Sequence, residues 1–215
     1  MVFENLPRLV LPMFFKRSGW FRSAFLVVAS TLACAATDAP PNEVAEGRYE
    51  FEFLTGALWD VGGGATPLDY VVLPQILSLK IPPIGERPWH GGTLLMRSRF
   101  SLLLEPITVG PESYYVGVAA AGEIEWHHPN KKFEVFFASG GGVGWMDSKG
   151  YEVPGAQGQD FNLNWLIHVG VRYHTSLNWR CSLGVYFQHI SNRGMDDINP
   201  GINSLGPTVA LSRRF

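Results

Sequence analysis

The sequence predicts an all-β fold, a closed, membrane-spanning antiparallel β-barrel of eight strands. Three observations predict it. Eight stretches alternate apolar and polar residues with a period of two, the mark of strands with one apolar and one polar face. After residue 35, no apolar run approaches the roughly 18 residues that a spanning helix needs. Aromatic residues gather at both ends of the apolar faces, as two girdles around an apolar band.

The chain opens on a segment that does not belong to the fold. Lys16, Arg17 and Arg22 precede an apolar run over 24–33, and Ala33-Cys34-Ala35 offers small residues at a cleavage point. Residues 1–35 are therefore expected to be a secretory signal peptide. Cys34 also admits acylation as a lipoprotein, although Leu32 stands one place late for that signal. With cleavage after Ala35, Cys181 has no second cysteine to bridge and serves as a hydrophobe on the outer face. Residues 36–46, with Pro40-Pro41, are expected to be a flexible lead, and 47–215 the barrel.

Strands are expected over 47–60, 69–82, 92–106, 113–127, 131–146, 159–174, 177–190 and 203–215. The sixth alternates most cleanly: Phe161, Leu163, Trp165, Ile167, Val169, Val171 and Tyr173 share one face. Asn162, Asn164, Leu166, His168, Gly170, Arg172 and His174 lie on the other. In the fifth, Phe133, Val135, Phe137, Val143 and Trp145 oppose Glu134, Phe136, Ala138, Gly140, Gly142 and Gly144. By the same parity Arg97, Arg99, Glu105, Glu123, Glu125, Arg180 and Arg214 join the polar face. Small residues and charges of both signs suit a narrow lumen crossed by ion pairs.

A soluble sandwich would hide the apolar faces between two sheets, whereas a membrane barrel turns them to lipid. The aromatic positions favour the barrel. Trp126, Phe133, Tyr173, Trp179 and Phe215 fall at one set of strand ends, and Trp59, Tyr114, Trp145 and Phe161 at the other. Loop lengths agree: 128–131 and 175–176 are short, as periplasmic turns are, and 147–159 and 191–203 are long, as extracellular loops are. The connection over 84–92 is a long periplasmic exception. Phe215 after Arg214 is similar to the C-terminal signal of bacterial outer-membrane barrels. A closed barrel satisfies every backbone group in lipid and leaves no edge.

Composition excludes several functions. Charged residues make up 17% of the chain, its net charge is −2, and no Lys/Arg run marks a nucleic-acid site. Gly140-Gly-Gly-Val-Gly144 lacks the Lys-Ser/Thr of a phosphate loop and is better explained by small lumen residues. His127 and His128 point to opposite faces of a strand, so they do not converge on a metal. Trp89-His90-Gly91-Gly92 has the look of an esterase oxyanion loop, but no Gly-x-Ser-x-Gly accompanies it. Asp196-Asp197 fits a solvated loop better than a Ca²⁺ site. No cofactor and no metal is expected.

One stretch carries chemistry. On the seventh strand Leu183, Val185 and Phe187 are lipid-facing by parity, and His189 and Ser191 continue that face. Polar groups turned to lipid are costly and mark function. A His and a Ser two places apart on one face can meet, and the His can then take the Ser proton and make the hydroxyl a nucleophile towards an ester.

The stretch resembles the lipid A 3-O-deacylase (PagL-type) family of outer-membrane barrels. The family's His-x-Ser-Asn-x-Gly stands here as His189-Ile190-Ser191-Asn192-Arg193-Gly194, and its following Asn-x-Gly as Asn199-Pro200-Gly201. The resemblance implies a serine esterase in the outer membrane of a Gram-negative bacterium. It would remove the ester-linked 3-hydroxyacyl chain from lipid A of lipopolysaccharide in the outer leaflet. It implies Ser191 as nucleophile, His189 as general base, and Asn199 at the oxyanion, helped by Asn192 and N–H groups near Gly194. Where the family carries an acidic residue, this chain has Asn203. An amide can hold the imidazole but cannot neutralise the imidazolium, and Asp196 and Asp197 are the alternative acids. The rival readings are a non-catalytic structural or adhesion barrel and a small pore. A homodimer stays open.

Overall fold

The computed structural model describes residues 48–63 and 66–215. The signal peptide expected over 1–35 and the lead expected over 36–46 lie outside the described residues. The described chain is all-β, with strands β1 (Glu50–Gly56), β2 (Leu58–Asp60), β3 (Val71–Val72), β4 (Gln75–Lys80), β5 (Gly85–Trp89), β6 (Gly92–Val109), β7 (Tyr114–His127), β8 (Phe133–Met146), β9 (Phe161–His174), β10 (Trp179–Ser191) and β11 (Ile202–Arg214). Neighbours pair antiparallel around the ring, and β1 pairs with both β4 and β11, which closes an eight-stave barrel.

Prolines interrupt two staves, each of which runs as a pair of short strands. Pro207 sits opposite Ala57 and has no N–H to give the ladder, so β1 and β2 separate while the register across to β11 stays the same. Between β3 and β4 Pro74 itself has no N–H for the ladder, and Pro106 sits opposite Leu73, whose N–H its carbonyl accepts at 2.9 Å. The sequence expectation fails at 84–92. That connection is a hairpin, in which β5 folds back on β6 through His90 and Gly91. Both turn residues take left-handed φ, 46° and 75°, the geometry of a two-residue I′ turn. The Trp89-Gly92 motif is thus a turn at the end of the barrel remote from Ser191.

Parity sets the two surfaces. Odd positions of β10 and even positions of β6 face outward, so Phe100, Leu102, Val118, Phe137, Val169, Leu183 and Val185 are exposed, a belt for lipid to cover. Trp59, Tyr114 and Trp145 rim it at one end; Tyr173, Trp179 and Phe215 rim it at the other. The protein is expected to fold only in detergent or lipid, and to run on gels at a different apparent size before and after heating. A water-soluble, strand-rich monomer would contradict the outward belt.

The lumen has two halves. Below the end that carries the long loops, Leu54, Leu58, Tyr70, Val72, Ile76, Leu103, Tyr115, Met146, Leu166, Tyr186, Ile190 and Ile202 form one buried apolar cluster. The glycine run contributes here: a Cβ on Gly144 would fall 2.5 Å from the Tyr115 ring, so the missing side chain is the space that the ring fills. Towards the other end the lumen is ionic. Arg172 reaches Glu123 and Glu125 at 2.8 Å and Glu134 at 2.9 Å, while Lys80 reaches Glu52 at 2.7 Å and Glu123 at 3.0 Å. Arg180 pairs with Glu50 and Glu134. Charges so deep are tolerated because they are paired and hydrogen-bonded together.

Candidate active site

The long loops place the candidate residues. β10 runs to Ser191, the chain turns through 192–201, and β11 returns from Ile202. The register sets His189 directly across from Asn203 on β11 and from Trp165 on β9. All three project from the outer wall, close to the loop end of the barrel.

The side chains of His189, Ser191 and Asn203 form one hydrogen-bonded chain. His189 Nε2 lies 2.9 Å from Ser191 Oγ, and His189 Nδ1 lies 2.6 Å from Asn203 Oδ1. Asn203 in turn donates from Nδ2 to the carbonyl of Gly62, at 2.9 Å, in the loop after β2. Each of the three is half-buried in the protein and turned towards the membrane. Gly201 takes φ 72°, and a Cβ there would come 3.1 Å from His189 Cε1, so the turn passes close under the imidazole.

The turn between β10 and β11 is held by its own amides. Asn192 is buried: its N–H donates to Asn199 Oδ1 at 2.9 Å, its Nδ2 to Ile198 O at 2.9 Å, and its Oδ1 accepts from Gly194 N at 2.9 Å. Asn199 is thereby fixed with its oxygen towards Asn192 and its amide nitrogen on the opposite branch. Arg193 and Gly194 both take left-handed φ, 56° and 77°. In this arrangement the Gly194 N–H is engaged by Asn192. Among the described residues neither acid of the loop has a hydrogen bond or ion pair with His189. Asp196 accepts Ile198 N at 2.8 Å and the Tyr151 hydroxyl at 3.0 Å, and that hydrogen bond raises the Tyr151 pKa above its usual value. Asp197 is exposed.

Several neighbours were not singled out by sequence reasoning. Trp165 stands 6.2 Å from the His189 ring and 4.9 Å from Phe187, ring centroid to centroid, and walls one side of the site. It looked like any lipid-facing aromatic; only the β9–β10 register distinguishes it. Gly62 belongs to the first stave's loop, and no local pattern links it to β11.

A second cluster lies in the lumen at the far end. His127, Glu134 and His174 bring ligand-type atoms within 4.8 Å of one another. Glu134 already accepts from His174 at 2.6 Å, Arg172 at 2.9 Å and Arg214 at 3.2 Å, and pairs with Arg180, so positive charge surrounds it. His128 is turned out of the lumen and stacks on Phe133 at 4.3 Å.

The family described as lipid A 3-O-deacylase (PagL) matches residues 84–212, which span β5 to most of β11 and hold His189, Ser191, Asn192, Asn199 and Asn203. The chain belongs to the PagL family. Among solved structures it is similar to the outer membrane enzyme PagL, at 18% identity over 75% of this chain and 97% of that one, with a TM-score of 0.49. It is also similar to Neisserial surface protein A, at 11% identity over 80% of this chain and 100% of that one, with a TM-score of 0.49. The attachment invasion locus protein Ail of Yersinia pestis is similar at 10% identity over 79% of this chain and 99% of that one, with a TM-score of 0.42. No curated protein matches this chain. Asn203, where the resemblance led to the expectation of an acidic residue, stands in contact with His189.

Proposed function

We propose that this PagL-family barrel is a serine esterase of the Gram-negative outer membrane that removes the ester-linked 3-hydroxyacyl chain of lipid A. The observation that carries the reading is the Ser191–His189–Asn203 chain, set on the lipid-facing wall at the long-loop end. A soluble ester would have to leave water to reach that face, whereas a lipid ester in the outer leaflet already lies against it. Ser191 Oγ attacks the ester carbonyl while His189 Nε2 takes its proton. The negative charge that develops on the carbonyl oxygen is met by the amide N–H of Asn199, held in place by Asn192 and the left-handed corner at Gly194. Collapse expels the sugar hydroxyl, which regains its proton from His189, and leaves an acyl-Ser191 ester. Water, deprotonated by His189, then releases the fatty acid and restores Ser191. No step requires a metal or a cofactor.

Mass spectra of lipid A from a Gram-negative host with and without the protein test the proposal. The expected result is loss of one hydroxyacyl unit from lipid A in the cells that make it. Unchanged spectra, with the folded barrel present in the outer membrane, would favour a structural or adhesion barrel instead.

A further inference from the structure

The Asn203 side chain has two contacts that require opposite chemistry. On one branch it meets His189 Nδ1 at 2.6 Å, and on the other it meets the Gly62 carbonyl at 2.9 Å. A backbone carbonyl only accepts, so the branch facing Gly62 must be the amide nitrogen. The branch facing the imidazole is then the amide oxygen, and it too only accepts. His189 Nδ1 must therefore carry the proton, and the Nε2 lone pair is left for the Ser191 hydroxyl, 2.9 Å away.

We propose that the Gly62 carbonyl is a positioning element of the site, which fixes the Asn203 amide and through it the reactive tautomer of His189. The proposal rests on the serine-esterase reading for its consequence in catalysis, but not for the tautomer itself. It accounts for how an amide can stand where the family carries an acid. In a serine-protease triad an Asn in the Asp position lowers kcat by roughly 10⁴, because the wrong tautomer results. That failure arises when the amide turns its N–H to the ring and makes Nδ1 the acceptor, so the outcome depends on which end of the amide faces the imidazole. Here Gly62 dictates it.

The loop is built to hold that carbonyl in place. Val61 N–H donates to the Asn203 carbonyl at 3.1 Å, so the loop is tied to the residue whose side chain it orients. Asp60 N–H donates to Tyr70 O at 3.0 Å, and the Asp60 carboxylate accepts the Gly62 N–H at 3.0 Å. Gly62 and Gly63 take φ 69° and 74°, a left-handed pair that side chains resist and β-branched ones most of all. A Cβ on Gly63 would also stand 3.6 Å from Asn203 Nδ2. A carboxylate at 203 would present an oxygen to the Gly62 carbonyl, acceptor against acceptor. The loop therefore suits an amide.

The test uses the full barrel in detergent micelles with ¹⁵N-labelled histidine, the His189 signals being assigned by their loss in His189→Gln. Neutral His189 is expected as the Nδ1–H tautomer. Gly62→Val, which cannot keep the left-handed turn, is expected to shift His189 towards Nε2–H and to lower kcat by about 10-fold or more, towards the roughly 10⁴ that a wrong tautomer costs. Made in Asn203→Asp, whose two oxygens are equivalent, the same loop change should lose most of its effect. An Nε2–H tautomer in the unaltered protein overturns the proposal, and so does a Gly62→Val loss of equal size in both backgrounds. The histidine spectrum needs no turnover. A protein without esterase activity but with the Nδ1–H tautomer would refute the esterase reading and uphold this one.

Discussion

Ser191→Ala and His189→Ala should each abolish lipid A deacylation while leaving the barrel intact. The two side chains act as a unit: Ser191 Oγ, 2.9 Å from His189 Nε2, has no other base within the described contacts of the site. Removing the hydroxyl removes the attacking atom, and removing the imidazole leaves a hydroxyl that is a weak nucleophile at neutral pH. Either change is expected to lower kcat by on the order of 10⁴ to 10⁶, and the double variant should be little worse than either single, because residues that act together are not additive. Release of hydroxy fatty acid from purified lipopolysaccharide measures the rates, and the heat-dependent gel shift shows that each variant is folded. Activity of Ser191→Ala within tenfold of the unaltered protein would remove Ser191 as the nucleophile.

The largest effect on stability is expected at the other end of the lumen. Arg172 is fully buried, contacts Glu123, Glu125 and Glu134 at 2.8 to 2.9 Å, and sets its guanidinium over the Phe136 ring at 4.3 Å. Arg172→Met keeps most of the volume and the contact with Phe136 but leaves three carboxylates without their shared cation. Breaking one side of a buried ion pair costs about 3 to 5 kcal/mol, and this site joins three. Arg213→Ala is the control, since Arg213 is outside the barrel against Trp179 and Phe215 and should cost within about 0.5 kcal/mol. Urea unfolding of the barrel in lipid vesicles measures both. A loss below about 1 kcal/mol for Arg172→Met would show that the remaining cations compensate for the missing one.

Much of this was legible in the sequence because a strand has a strict period. Parity alone sends His189, Ser191 and Asn203 outward and Arg97, Glu123, Arg172 and Arg180 inward, and a one-residue error would have reversed every assignment. Three features escaped parity. The hairpin of β5 on β6 hangs on His90 and Gly91 adopting left-handed φ, and a His at such a corner is a weak signal. The break at Ala57 faces Pro207 on the partner strand and is not written in the strand it interrupts, whereas Pro74 marks the break between β3 and β4 in its own strand. The grip of Gly62 on Asn203 joins residues 141 apart in the chain, through a loop contact that no periodicity encodes. In the lumen parity gave the membership of the ionic cluster but not its pairing, which depends on how far each side chain reaches across the barrel.

The seam of the barrel has a consequence in time. His189, Ser191 and Asn203 lie on the C-terminal hairpin of β10 and β11, which can pair as soon as those strands meet. Gly62 follows the first stave, and it reaches Asn203 only when β2 zips against β11 through Ser204–Asp60 and Leu205–Trp59. A chain still waiting for insertion, with its two ends apart, has Ser191, His189 and Asn203 side by side but not the Gly62 carbonyl that orients the Asn203 amide. If the site is the proposed esterase and that carbonyl governs the tautomer, the site is armed by the last act of the barrel's own assembly. Unfinished copies then act on the esters they meet on the way to the membrane more slowly, by the same factor that Gly62→Val loses.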